Sequence, residues 1–142
     1  MDQESIVLSA LLASPDHILT RVQAQKMVFL VDRQLADAVG GHVFSFAPYH
    51  YGPFDKDVYG AMERLEAAGL VVTRFQPGAG KAYTLTPAGR DAASRIVSGL
   101  PAAAASHMGV LGRWVRSLSF EALVTAIYRT YPEMRARSIF RG

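Results

Sequence analysis

The 142-residue sequence contains no cysteine and no asparagine. The first absence removes disulfide staples, thiolate zinc sites and thiol nucleophiles. The second removes any acceptor for N-glycosylation. No apolar run approaches the roughly 18 residues that cross a bilayer, so no membrane partner is expected. Met1-Asp2-Gln3-Glu4 is acidic where a secretory leader would be basic. The expectation is a soluble, cytoplasmic chain.

Signatures of catalysis are missing too. There is no Gly-x-Ser-x-Gly elbow and no His-Glu-x-x-His, and the four histidines (His17, His42, His50, His107) are scattered, with no pair at i, i+4. Gly78-Ala79-Gly80-Lys81 looks briefly like a phosphate loop. It lacks the first glycine, has Ala82 where a magnesium-binding hydroxyl belongs, and falls between two strand candidates, so it reads as a plain turn. Asp55 and Asp57, at i, i+2, point to different helix faces and read as first-turn acids rather than an acid-base pair. The sequence predicts no enzyme, no cofactor and no metal.

Half of the residues are apolar, enough for a core in a chain of one-domain size, 1–142. The net charge of +3 is unevenly spread. Residues 1–89 hold seven Lys/Arg against nine Asp/Glu, a balance of −2, whereas residues 90–142 hold eight arginines against three acids, a balance of +5.

Residues 2–13 read as a helix capped by Asp2, broken at Ser14-Pro15-Asp16. Thr20 and Gln23 form a capping box for a second helix. Its Met27–Val31 run is apolar all round, which predicts a central, buried helix, and Gly40-Gly41 stops it. Val43–Phe46 is a short strand candidate, Pro48–Phe54 a structured turn. Asp55 starts a third helix with Val58, Met62 and Leu65 on one face, ended by Gly69. Val71–Phe75 and Lys81–Leu85 form a β-hairpin. Thr86-Pro87 opens a helix running to about Val97. Gly99-Leu100-Pro101 and the following four alanines read as a hinge. A helix from about Ser106 to Leu118 and one capped by Ser119, running to about Tyr131, close the chain at Pro132. The fold class is mainly α with a small β-hairpin: a winged-helix-like helix-turn-helix core (about 2–98) with a helical extension (about 105–142). Phe75–Lys81 would be the wing.

Gln25-Lys26-Met27-Val28-Phe29-Leu30 resembles the "LQKLLYF" helix of Panacea-domain proteins, the SocA-like antitoxins, and Tyr49-His50-Tyr51-Gly52-Pro53-Phe54 resembles the "xKYGP" turn that follows it. Glu66–Val71, Tyr83–Gly89 and Ile127–Pro132 are similar to later segments of the same group. His50 stands where that family commonly has lysine, and Asp55 where it has serine. The resemblance spans roughly residues 20–90 plus the last helix. It implies a non-enzymatic antitoxin or adaptor whose partner is a toxin or effector protein.

Two surfaces follow. Phe44, Phe46, Tyr49, Tyr51 and Phe54 are either satellite core or interface anchors, since tyrosine pairs a large contact area with a polar tip. The tail Arg135-Ala136-Arg137-Ser138-Ile139-Phe140-Arg141-Gly142 is either solvated or a grip for an acidic partner. The partner-binding candidates are Tyr49, His50, Tyr51, Phe54, Arg135 and Arg137. The alternative is a winged-helix transcription regulator acting as a homodimer, with Lys56, Arg64, Arg74 and Lys81 on DNA. The third helix then sits in the major groove, yet it carries two cations against Asp55, Asp57, Glu63 and Glu66, a poor match to phosphates.

Overall fold

The computed structural model describes residues 1–78 and 80–141, so Ala79 of the Gly78–Lys81 turn and Gly142 of the tail lie outside the described residues. Helix α1 spans Gln3–Ala13, and the Asp2 carboxylate accepts the Ser5 N–H at 2.8 Å, as an N-cap should. A 3-10 turn (Pro15–His17) leads into strand β1, Ile18–Thr20. Helix α2 (Arg21–Gln34) carries the expected capping box: Gln23 N–H donates to Thr20 Oγ1, and Thr20 N–H donates to Gln23 Oε1.

Every residue from Ala24 to Asp32 is buried, so α2 is central. It shares that role with α1, whose Ile6–Leu11 stretch is also buried and which packs against α2 and three later helices. Helix α2 does not run on to the glycine pair. Leu35 leaves helical angles (φ −124°), and a separate turn of helix, α3 (Ala36–Val39), ends at Gly40, whose φ of +88° suits glycine.

Val43–Phe46 is not a strand. Its backbone is held by side chains instead: Gln3 Nε2 donates to Val43 O at 2.8 Å, and Ser45 N–H donates to Asp55 Oδ2 at 2.6 Å. Pairing begins one residue later, between β2 (Ala47–Tyr49) and β3 (Gly52–Phe54), with His50-Tyr51 as the turn. Helix α4 (Lys56–Ala67) follows Asp55, whose carboxylate caps Asp57 N–H.

Strands β4 (Val71–Gln76) and β5 (Gly80–Leu85) form the expected hairpin. The short β1 also pairs antiparallel with β5, giving a three-stranded sheet in the order β1-β5-β4. Helix α5 (Pro87–Ser98) is capped by Thr86. A Cβ on Gly89 would lie 1.9 Å from Leu70 O, so only glycine lets α5 sit on the entry to β4.

The four alanines are not hinge. Only Gly99-Leu100-Pro101 breaks the chain, and α6 (Ala102–Ser117) starts directly after Pro101. Alanine has the highest helix propensity of any residue, so the run extends the helix by a turn. Helix α7 spans Phe120–Thr130 behind its Ser119 cap, followed by a 3-10 turn at Pro132–Arg135. Met108, Leu111, Val115, Leu123, Val124 and Ile127 of α6 and α7 belong to the same buried cluster as α1 and α2. The chain is mainly helical with a small antiparallel sheet, and no helix of the described residues is long and apolar enough to cross a membrane.

Candidate functional site: an aromatic cleft at the β2–β3 hairpin

The hairpin is fixed from α2. The Gln25 side chain donates from Nε2 to Asp55 O and accepts the Asp55 N–H at Oε1, both at 2.9 Å and both buried. Asp55 in turn caps α4 and anchors Ser45. One glutamine thus sets where β3 ends and α4 begins. Gly52 has φ +112°, a backbone state that L side chains resist. A Cβ built there would approach Tyr128 Cε1 at 3.6 Å and Lys26 Nζ at 3.7 Å.

Between α2, the hairpin and the start of α4 lies a cleft of about 180 Å³, lined chiefly by Val22, Lys26, Tyr49, Tyr51, Phe54 and Tyr59. Tyr49 stacks on His50 (centroids 4.1 Å, planes 10° apart) and tilts against Phe54 at 5.0 Å; Phe54 meets Tyr59 edge-on, and the Arg21 guanidinium covers the Tyr59 ring at 4.3 Å. Tyr51 also meets Phe120 edge-on at 5.2 Å, and Phe120 continues to Phe140 and Tyr128.

The five aromatics of 44–54 therefore divide. Phe44 is buried, and Phe46 packs edge-on to Phe29 at 5.4 Å, so both belong to the core. Tyr49 and Tyr51 remain 44% and 41% exposed. Phe54 is half-buried and His50 exposed.

The basic tail is brought to the same place. Ile139 N–H donates to His50 O at 3.0 Å, and the Ser138 hydroxyl donates to the same oxygen at 3.2 Å. Arg135 lies over the Tyr128 ring at 5.4 Å, and Arg137 is exposed. Tyr49, His50, Tyr51, Phe54, Arg135 and Arg137 thus form one neighbourhood, although 81 residues of sequence separate Phe54 from Arg135.

The four cations considered for DNA are not brought together in this way. Arg64 is engaged on α1: its Nε pairs with the Glu4 carboxylate and its Nη2 donates to Gln3 Oε1 at 3.1 Å. Lys56 is exposed on the first turn of α4, while Arg74 and Lys81 are exposed on the β4–β5 hairpin. Phe75, paired with Lys81, is 79% exposed.

Lys26 is the site residue that the sequence reading passed over. It is 2% exposed, and burial lowers its ammonium from the ordinary 10.5 to about 8. A signal was present in the sequence: the helical neighbours Val22, Gln23, Phe29 and Leu30, at i ± 3 and i ± 4, include no acid to pair with it. The histidines have separate partners, His17 with Leu12 O, His42 with the Asp32 carboxylate and His107 with Gln34 Oε1.

No family model matches the chain, and no match was found among curated proteins or solved structures.

Proposed function

We propose that this chain is a non-enzymatic, protein-binding regulator of the Panacea antitoxin type, acting in the cytoplasm by covering a surface of a toxin or effector. The observation that carries the reading is the convergence of exposed Tyr49 and Tyr51 with the docked basic tail on one face. Aromatic anchors inside a charged rim are the usual composition of a binding hot spot. The finer fold reading is a winged helix. It is supported by the sheet order β1-β5-β4, by α1, α2 and α4 packed together behind it, and by the projecting β4–β5 hairpin.

Co-purification of the tagged chain from its native operon tests the reading. The expected result is a stoichiometric complex with a neighbouring gene product, weakened by Tyr51→Ala.

A homodimeric winged-helix DNA binder is the second reading, favoured by the exposed Arg74, Phe75 and Lys81 of the wing. The ion pair of Arg64 with Glu4 weighs against it, since base reading would first have to break that pair. Titration against upstream-region and random duplexes at physiological salt separates the two. Affinity no better than the non-specific range of about 10⁻⁴–10⁻⁶ M is expected. Sub-micromolar, sequence-selective binding abolished by Arg64→Ala would replace the first reading with the second.

A further inference from the structure

Lys26 is the only buried cation among the described residues. The two buried carboxylates have partners: Asp32 pairs with His42, and Asp55 accepts the N–H groups of Ser45 and Asp57. Among the described residues no acceptor or carboxylate pairs with Lys26 Nζ. The titratable side chains that share the cleft lining with it are Tyr49, His50, Tyr51 and Tyr59, and Tyr128 meets Gly52 beside it, whereas the acids of α4 and α7 (Asp57, Glu63, Glu66 and Glu121) are not in that lining. None of the groups that share the lining is a carboxylate.

An unpaired ammonium is costly inside a protein, and an apolar side chain at that place would pack against Val22 and the hairpin at no such cost. The fold does not account for a lysine at position 26. The cleft does: Lys26 forms part of its wall, so the charge is open to whatever enters.

We infer that the cleft receives an acidic side chain of the protein partner, glutamate before aspartate, with its carboxylate on Lys26 Nζ and its methylene stem between Tyr49, Phe54 and Tyr59. This deepens the protein-binding reading above and rests on it. The volume of about 180 Å³ lies below the range of roughly 300–1,000 Å³ usual for small-molecule pockets and suits an inserted side chain. A single ammonium among aromatic walls matches one negative charge on an apolar stem, whereas phosphate sites gather several cations or backbone N–H groups. Capture of a chain-terminal carboxylate commonly uses a nest of backbone N–H groups, whereas the charge offered here is a side-chain ammonium. Glutamate has one more methylene than aspartate with which to reach the floor. The basic tail hydrogen-bonded at His50 favours the approach of an acidic segment.

The test is selection of random twelve-residue segments, displayed with constant flanks at both ends, against the full-length chain. Enriched segments are expected to share a Glu or Asp beside apolar residues. In the tightest of them, Glu→Gln should weaken binding at least tenfold, and so should Lys26→Met in the protein. Lys26→Met removes a buried charge and is expected to melt no lower than wild type. Independently of that variant, amide shifts on adding the peptide to wild type should centre on residues 25–26, 49–54 and 59. Enriched segments without a shared acid, undiminished binding to Lys26→Met, shifts on another face, or no enriched segment at all would each overturn the inference. So would displacement of the peptide by millimolar inorganic phosphate, which would mark a phosphate site. A native-operon complex that depends on Tyr51 while no acidic segment is selected would leave the protein-binding reading standing and remove this one.

Discussion

The side-chain amide of Gln25 satisfies both backbone polar groups of Asp55, 30 residues further along the chain. Through that pair, the central helix dictates where the hairpin ends and α4 begins. The cleft exists because this register is held.

Gln25→Ala is therefore expected to leave the buried N–H of Asp55 without a partner and its carbonyl with the Val58 N–H alone. The orphaned N–H costs about 1–3 kcal/mol. The expected result is a lower urea midpoint together with faster amide exchange at residues 52–57. An unchanged midpoint with native exchange at those amides would show that the hairpin is held by its aromatic packing instead.

Lys26 gives a pH-dependent prediction. Its folded pKa of about 8 lies below the ordinary 10.5. Below about pH 8 both folded and unfolded lysine are protonated, and burial costs the folded state roughly 3 kcal/mol at 1.4 kcal/mol per tenfold change. Between about 8 and 10.5 the unfolded state holds more protons, so the stability of the wild type rises with pH. Lys26→Met should accordingly be the more stable protein at pH 7, with the gap closing as pH approaches 10.5. Burial raises the Tyr83 phenol, which acts in the opposite direction at high pH. Because that effect is common to both proteins, the quantity to read is the difference between variant and wild-type denaturation curves. A gap that stays constant from pH 7 to 10.5 contradicts the burial of the charge.

Two glycines mark close backbone approaches. A Cβ on Gly112 would stand 2.5 Å from Ala13 O, and one on Gly89 1.9 Å from Leu70 O. Gly112→Ala and Gly89→Ala should each force a helix off its neighbour, at a cost of about 1–3 kcal/mol or more. Gly60 is the contrast. It is helical, and a Cβ there would meet only the far end of the Arg64 side chain at 3.4 Å. Gly60→Ala should stabilise by up to about 1 kcal/mol through helix propensity. Thermal melts of the three variants give the order directly.

The partner surface predicts a division of kinetic effects. In the proposed interface Tyr51 serves as the aromatic anchor, and its truncation should cost about 2 kcal/mol or more, read mainly as faster dissociation. Arg137 and Arg135 form its proposed rim, and the double Arg135→Ala/Arg137→Ala variant should mainly slow association at low salt. Surface plasmon resonance against the co-purified partner resolves both rates. Unchanged rates in both variants would place the interface elsewhere.

Sequence alone determined the local events. Thr20-Gln23, Asp2, Thr86-Pro87 and Ser119 are caps whose hydrogen bonds close within three residues, so their chemistry is legible from spacing. The apolar Met27–Val31 run identified α2 as central for an equally local reason: a helix with no polar face must be surrounded. Tertiary structure decided what depended on distant partners. Val43–Phe46 has strand-like residues, but Gln3 and Asp55 hold its backbone. The three residues of β1 become a strand because β5 lies beside them. Phe44 and Tyr49 belong to one aromatic cluster in sequence, yet the first is core and the second surface, because only the hairpin's place on α2 gives each a neighbour. The tail reaches the hairpin through the His50 carbonyl, 89 residues before Ile139, a distance over which residue pattern carries no information. Lys26 shows the same division. Its lack of an acid at helical spacing was written in the sequence, but its burial in the cleft wall beside Gly52 came from packing, and burial is what turns an ordinary lysine into an unpaired charge facing a cleft.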